Sequence, residues 1–373
     1  MITRTSSSVT RALGRLAGDQ GLLFVVLGFG ILLAILSPVF LTPANIINLL
    51  YQSTILGVFA IGMTFVILTA GIDVSVGAIA ALTSVLSMGA VVRMGLPWEL
   101  GIAAGLLIGA LCGAVNGVMV TVLGISPLIA TLATLSAGAG VAFAYSDGGN
   151  ITPVPDLLVT VVNAKIAGIP ILIPAVLLLA VLVHFVLTRT VFGRSVYAVG
   201  GNPEAALLAG IRVQRVRLSC YVICGLTAAL AGLMLTGRLA SGSPRAGEGI
   251  ELTVIAAVVI GGTSLFGGQG NIRGTLLGVL LISMVTNAVN LLGIPSSWDK
   301  IVQGLVIFLA AALDVYRHKY VQKKLSRAAK PPPAPATAPE AHAASESASH
   351  GVDVDATEMA HAAARDTHKE TKS

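Results

Sequence analysis

Apolar positions in this chain neither alternate nor recur on a single face. They run on for most of twenty residues at a time, separated by short polar or glycine-rich pieces. A helix crosses a bilayer with about 20 such residues. Ten runs qualify: roughly 21–40, 47–70, 75–95, 98–124, 127–146, 169–189, 217–239, 251–267, 272–293 and 298–315. Backbone groups in hydrocarbon must pair within helices or closed barrels, and these runs are too long and too evenly apolar for barrel strands. The pattern predicts an all-α polytopic membrane protein of about ten transmembrane helices. The first run exceeds a signal-peptide core, and "LSPVFLTPAN" after it has no small-x-small cleavage site, so it is expected to remain as the first span.

Composition agrees. Of 373 residues, 55% are hydrophobic and 11% charged, against about 25% charged in a soluble domain. Charge also orients the spans. With the N-terminus inside, fourteen Lys and Arg fall on the inner side, among them Arg189, Arg194, Arg212, Arg215 and Arg217. Five fall outside: Arg93, Lys165, Arg238, Arg245 and Lys300. The excess predicts both ends in the cytoplasm of a cell bounded by this membrane. It also accounts for the net charge of +6 without a nucleic-acid partner. Cys112, Cys220 and Cys224 fall inside spans. The last two share a helix face at a separation too wide for a disulfide, so they read as small packing residues. No metal or cofactor is expected.

The chain divides into a short cytoplasmic segment 1–20, a membrane domain 21–318, and a basic, then Pro/Ala-rich tail 319–373 too poor in apolar residues to form a core. A weak parallel repeat links spans 2–4 to spans 8–10. "GIDVSVG" (71–77) is answered by "GQGNIRG" (268–274), and Trp98 by Trp298. Transporters often place the cargo route between such repeats. Asp73 sits in the first break. Two compatible roles stay open for it: it or Ser75 can cap the following helix, or it can form part of a polar route or gate, since ionisable groups in a membrane usually face a cavity. Thr69, Ser75, Asn116, Thr131, Ser136 and Asn287 are further polar candidates within the spans, residues of a kind that more often bond between helices than line a route.

None of the eight lysines follows a glycine, so the chain lacks a phosphate-cradling P-loop. No nucleophile–base set emerges either, and the chain is expected to be a transport subunit rather than an enzyme. The longest inner loop, 188–219, holds Asn202 as a cap, Pro203 at a first helical position, Glu204 against the helix dipole, and Gly210 as a stop. A short capped helix of this kind suits lipid headgroups or a groove on a partner protein.

Four stretches carry a family resemblance: "GMTFVILTAGIDVSVGAIAALTSV", "GAVNGVMVTVLGISPLIATLATLSAGAGVA", "VYAVGGNPEAALLAGI" and "GEGIELTVIAAVVIGGTSLFGGQGNIRGTLLGVLL". Over about residues 20–318 the chain resembles permease subunits of ribose-type ABC sugar importers, within the branched-chain amino acid/sugar permease superfamily. "GIDVSVG" favours the carbohydrate branch. The resemblance implies a second permease copy, a cytoplasmic ATP-binding subunit, a periplasmic sugar-binding protein and a bacterial inner-membrane location. It also implies that Asn202, Pro203, Glu204, Ala205, Ala206 and Gly210 form the helix that couples to the ATPase, with Phe192, Gly193 and Arg194 as its lead-in. Ala205 and Ala206 are expected to allow close approach of that partner. Arg245, Glu248 and Glu251, with Glu99 and Asp299, are expected on the outer surface, where some orient the binding protein. The competing reading is an ion-gradient-driven transporter of a small polar solute with Asp73 as coupling carboxylate.

Overall fold

A computed structural model of the protein describes residues 19–295 and the single positions 298, 301, 304, 305 and 308. Most of the tenth expected span and the whole expected tail lie outside the described residues. Those described form twelve helices and one two-residue hairpin. In order they are α1 (Asp19–Leu36), α2 (Pro43–Leu68), α3 (Val76–Val92), α4 (Trp98–Thr121), α5 (Pro127–Ser146) and α6 (Asp156–Asn163). There follow β1 (Lys165–Ile166), β2 (Ile169–Pro170), α7 (Leu172–Arg189), α8 (Val191–Gly201), α9 (Pro203–Leu208), α10 (Val213–Leu239), α11 (Ile250–Ile260) and α12 (Ile272–Leu291).

Caps and prolines set the starts. Thr42 accepts from the Asn45 N–H before Pro43, Pro127 opens α5, and Asn271 Oδ1 accepts from the Gly274 N–H at 2.8 Å. Helices α2, α4, α5, α7, α10 and α12 are long and apolar enough to cross a membrane, which makes this a multi-pass membrane protein. Helices α1 and α3 are shorter apolar helices. The expected span 251–267 is helical only as α11, eleven residues or about 16 Å, roughly half the hydrocarbon thickness. Four glycines at 261, 262, 267 and 268 end it early, three of them at positive φ.

Helix α2 is buried on all sides from Thr54 to Leu68, and α3 along nearly its whole length. Around this pair stand α4, α5, α7, α10, α11 and α12. Lipid gives apolar helices no hydrophobic reason to associate, so close backbone packing must hold them together. The stripe Gly101, Gly105, Gly109, Gly113, Gly117 of α4 supplies it. A Cβ on Gly109 would lie 2.5 Å from the Gly225 carbonyl oxygen of α10, and one on Gly117 3.1 Å from Leu218 Cα. Helix α1 packs peripherally through Val26 and Leu33 against Leu49, Met284 and Ala288.

The bundle has two distinct ends. At one, Tyr51 bonds Asn163 of α6 at 3.1 Å, Asn163 bonds the Gly237 carbonyl of α10, and Arg93 bonds the Tyr145 carbonyl. Helix α6 and the hairpin, unforeseen in the sequence, cover this end. From it, segment 240–249 folds back into the bundle, where Gly77 packs against the Gly247 carbonyl. At the other end lie α8, α9 and both glycine-rich breaks.

Candidate functional site

The chain leaves α2 through Ala70 at φ 58° and continues without regular secondary structure through Asp73 before α3 begins. Asp73 is fully buried. Its Oδ1 accepts from the Ser75 N–H at 2.9 Å and from the Ser75 hydroxyl at 2.6 Å. Asn116 of α4 brings Nδ2 to 2.8 Å from Ser75 Oγ and 3.5 Å from both Asp73 oxygens. Thr134 of α5 donates to Asn116 Oδ1, while Thr131 Oγ accepts from the Val74 N–H at 3.2 Å and donates to the Pro127 carbonyl. A buried carboxylate is costly unless its lone pairs are satisfied. Here a single carboxylate is the centre that ties the break to α4 and α5. Cys224 of α10 also faces it.

The second break, 261–271, meets the first. The Gly268 N–H donates to the Leu68 carbonyl at 2.9 Å, and Thr64 and Thr275 pair at 3.0 Å. Helix α8 closes on this junction. A Cβ on Gly200 would meet the Leu68 carbonyl oxygen and lie 2.5 Å from Gly268 N. Tyr197 Oη donates to the Gly270 carbonyl at 2.9 Å, and Phe192 stacks on Phe65 of α2 with centroids 6.2 Å apart.

Helix α9 follows directly. Asn202 Oδ1 accepts from the Ala205 N–H at 2.9 Å, Pro203 is the first helical residue, and Gly210 beyond the end has φ 81°. Ala206, expected with Ala205 at a partner surface, is only 4% exposed and belongs to the chain's own core. In a helix this short, the i+3 spacing from Pro203 turns Ala206 inward. Leu208 at 90% and Leu207 at 64% exposed point out instead.

A cleft of about 520 Å³ opens near the opposite end between α2, α10, α11 and α12, with Gln52, Arg238, Glu248, Thr253, Ser283 and Thr286 on its walls. Arg245 is exposed and lies over the Phe143 ring. Glu251, expected on the outer surface, is half-buried, with Oε2 close to where a Cβ of Gly77 would be. Asn287 stands apart from the Asp73 network. It exchanges hydrogen bonds with Asn45 at 2.9 and 3.2 Å. Thr69 turns back to the Val66 carbonyl, and Ser136 is exposed. Asp299 lies outside the described residues.

The family described as "Branched-chain amino acid transport system / permease component" matches residues 45–311, well over half of the chain. The chain belongs to this permease family. The ribose import permease of Bacillus subtilis is 46% identical over 286 residues, covering 76% of this chain and 88% of the relative. That of Haemophilus influenzae is 39% identical over 308 residues, 82% and 95% of the two chains. The L-arabinose ABC transporter permease of Azospirillum brasilense is 38% identical over 303 residues, 81% and 89%. No solved structure shows significant similarity to the chain.

Within this permease, the structure brings Asp73, Ser75, Asn116 and Thr131 into one network and leaves Asn287 and Ser136 out of it. The sequence reading missed Thr134, Leu207 and Leu208. Thr134 is one turn past Thr131 in "ATLATLS", a spacing that signals a shared helix face. Leu208 carried no signal among so many leucines.

Proposed function

We propose that this permease is the membrane subunit of a binding-protein-dependent ABC importer for a simple sugar, energised by a separate ATPase. The observation that carries the reading is the 46% identity to a ribose import permease across the membrane domain. Ribose and L-arabinose permeases lie at comparable distances, so a pentose or related monosaccharide is the cargo class. The permease works as a pair in the bacterial inner membrane, each copy with ten spans and both ends in the cytoplasm, as the distribution of basic residues favours.

In this reading sugar enters by the cleft between α10 and α11, whose hydroxyl, amide and charged groups suit a polyol. Arg245 and Glu248 steer the binding protein at its rim. The Asp73 network holds the inner end of the route closed. Its carboxylate is enclosed by donors from this chain, which favours a structural pin over an ion-coupling group. Helix α9 docks on the ATPase through Leu207, Leu208 and Glu204, beside a groove of about 500 Å³ that ends at Arg215.

The test is proteoliposomes containing the permease, its ATPase and the binding protein, supplied with radiolabelled ribose, arabinose or fructose. ATP-dependent accumulation of one sugar is expected, and Leu208→Arg abolishes it with loss of the copurified ATPase. Uptake that needs an ion gradient and no ATPase would overturn the reading.

A further inference from the structure

Below the first break lies a separate cavity of about 410 Å³, walled by Thr69, Gly71, Ser126, Pro127, Arg217 and Tyr221. Tyr221 is 1% exposed, yet its hydroxyl has no hydrogen-bond partner. The hydroxyl is at the cavity wall, because a Cβ on Gly71 would fall 2.7 Å from it. Arg217, one helical turn earlier, shares that face of α10. Its Nε is buried and also without a partner. The one ion pair among the described residues joins Arg93 to Asp147, so no acid of the described chain is in ion-pair contact with Arg217.

A third donor borders the same space. Ser126 and Pro127 are the cap and first residue of α5, a twenty-residue helix, and the Ser126 side chain makes no capping bond. The Ser126 hydroxyl is therefore free to donate to a ligand in the cavity, whereas Pro127 has no N–H to offer. A neutral sugar could accept from the phenol but would leave the guanidinium uncompensated. A carboxylate offers two acceptor oxygens, whereas a phosphate offers three or more, which suits donors on three walls: the Arg217 guanidinium, the Tyr221 phenol and the Ser126 hydroxyl. We infer that this cavity binds a phosphate-class oxyanion, with Arg217 and Tyr221 as its side-chain donors. The headgroup of an acidic phospholipid and free inorganic phosphate share that chemistry. The same end of the bundle carries Arg189, Arg194, Arg212 and Arg215, which would gather either. Bound there, the anion ties α10 to the segment leading into Asp73 and to the start of α5.

The experiment places the full-length permease in nanodiscs of phosphatidylcholine alone or with phosphatidylglycerol, and measures thermal stability and retained lipid by native mass spectrometry. A parallel arm adds inorganic phosphate, against chloride at equal ionic strength, to the phosphatidylcholine discs. Phosphatidylglycerol is expected to raise the melting temperature, with about one tightly retained molecule per permease copy. Arg217→Gln should weaken binding about tenfold or more and Tyr221→Phe about threefold. Stabilisation by phosphate alone, lost in the same variants, assigns the site to a soluble anion and upholds the inference. Tyr221→Phe preserves shape and guards against a misfolded Arg217→Gln. If neither anion stabilises the wild type, or if both variants respond as the wild type does, the inference is overturned.

Discussion

The two glycine-rich breaks solve the same problem by different means. The 69–75 segment is pinned by side chains: one buried carboxylate collects bonds from Ser75 and Asn116, and Thr131 holds the Val74 N–H. The 261–271 segment has no comparable acid. It is held by backbone, through Gly268 to Leu68, and by Tyr197 reaching in from α8. The first is thus fixed from within the membrane bundle, and the second from the element that carries α9. A displacement of α9 is carried by α8, whose Gly200 packs against both the Leu68 carbonyl and Gly268, and so bears on the two breaks together.

The largest effect is expected where the two breaks and α8 touch. Gly200→Val drives a side chain into the backbone of both, costing about 3 kcal/mol, and should appear as lost yield and a lowered melting temperature. Gly201→Ala has open space and should be neutral. Equal stability of the two variants would show that the junction is not close-packed.

Next comes the carboxylate. Asp73→Ala leaves the Ser75 N–H and hydroxyl donors without their acceptor, at about 1–3 kcal/mol, and sugar uptake per folded complex should fall with it. Asp73→Asn keeps an acceptor and should lose less than half as much. A larger transport defect in Asp73→Asn than in Asp73→Ala would point to a role for the charge itself.

The second break should be more forgiving. Tyr197→Phe removes one hydrogen bond worth about 1 kcal/mol, expected to reduce sugar-stimulated ATPase while assembly persists. Smallest is Asn202→Ala, which removes the α9 cap at about 0.5–1 kcal/mol. Hydrogen exchange at Ala205 should rise while the spans stay protected. Unchanged exchange would mean that packing of Ala206 alone holds the helix.

Span positions were legible because length and hydropathy are local properties; 127–146 matches α5 at both ends. Short α11 was not, because an apolar run reads the same whether glycines end it early or not. The bonds between Asp73 and Ser75 were within reach of the sequence, two residues apart, but the expected cap does not form: they end on Ser75 itself, and Ser75, which precedes α3, makes no side-chain capping bond. The other partner of Asp73, Asn116, and Thr134 that bonds Asn116 in turn, depend on how α4 and α5 dock. That docking follows from the α4 glycine stripe, a four-residue spacing present in the sequence but silent about which neighbour it meets. The inward turn of Ala206 was hidden for the same reason: a six-residue helix has no periodicity to read.

The brevity of α11 carries a consequence for biosynthesis. Eleven residues, nine of them apolar and one the acid Glu251, followed at once by glycines, are too few to partition into a bilayer alone as the chain emerges. Helix α12, made afterwards, has the length that α11 lacks. The two therefore enter as a hairpin, and α11 takes its place only once α2 and α12 are present to receive it.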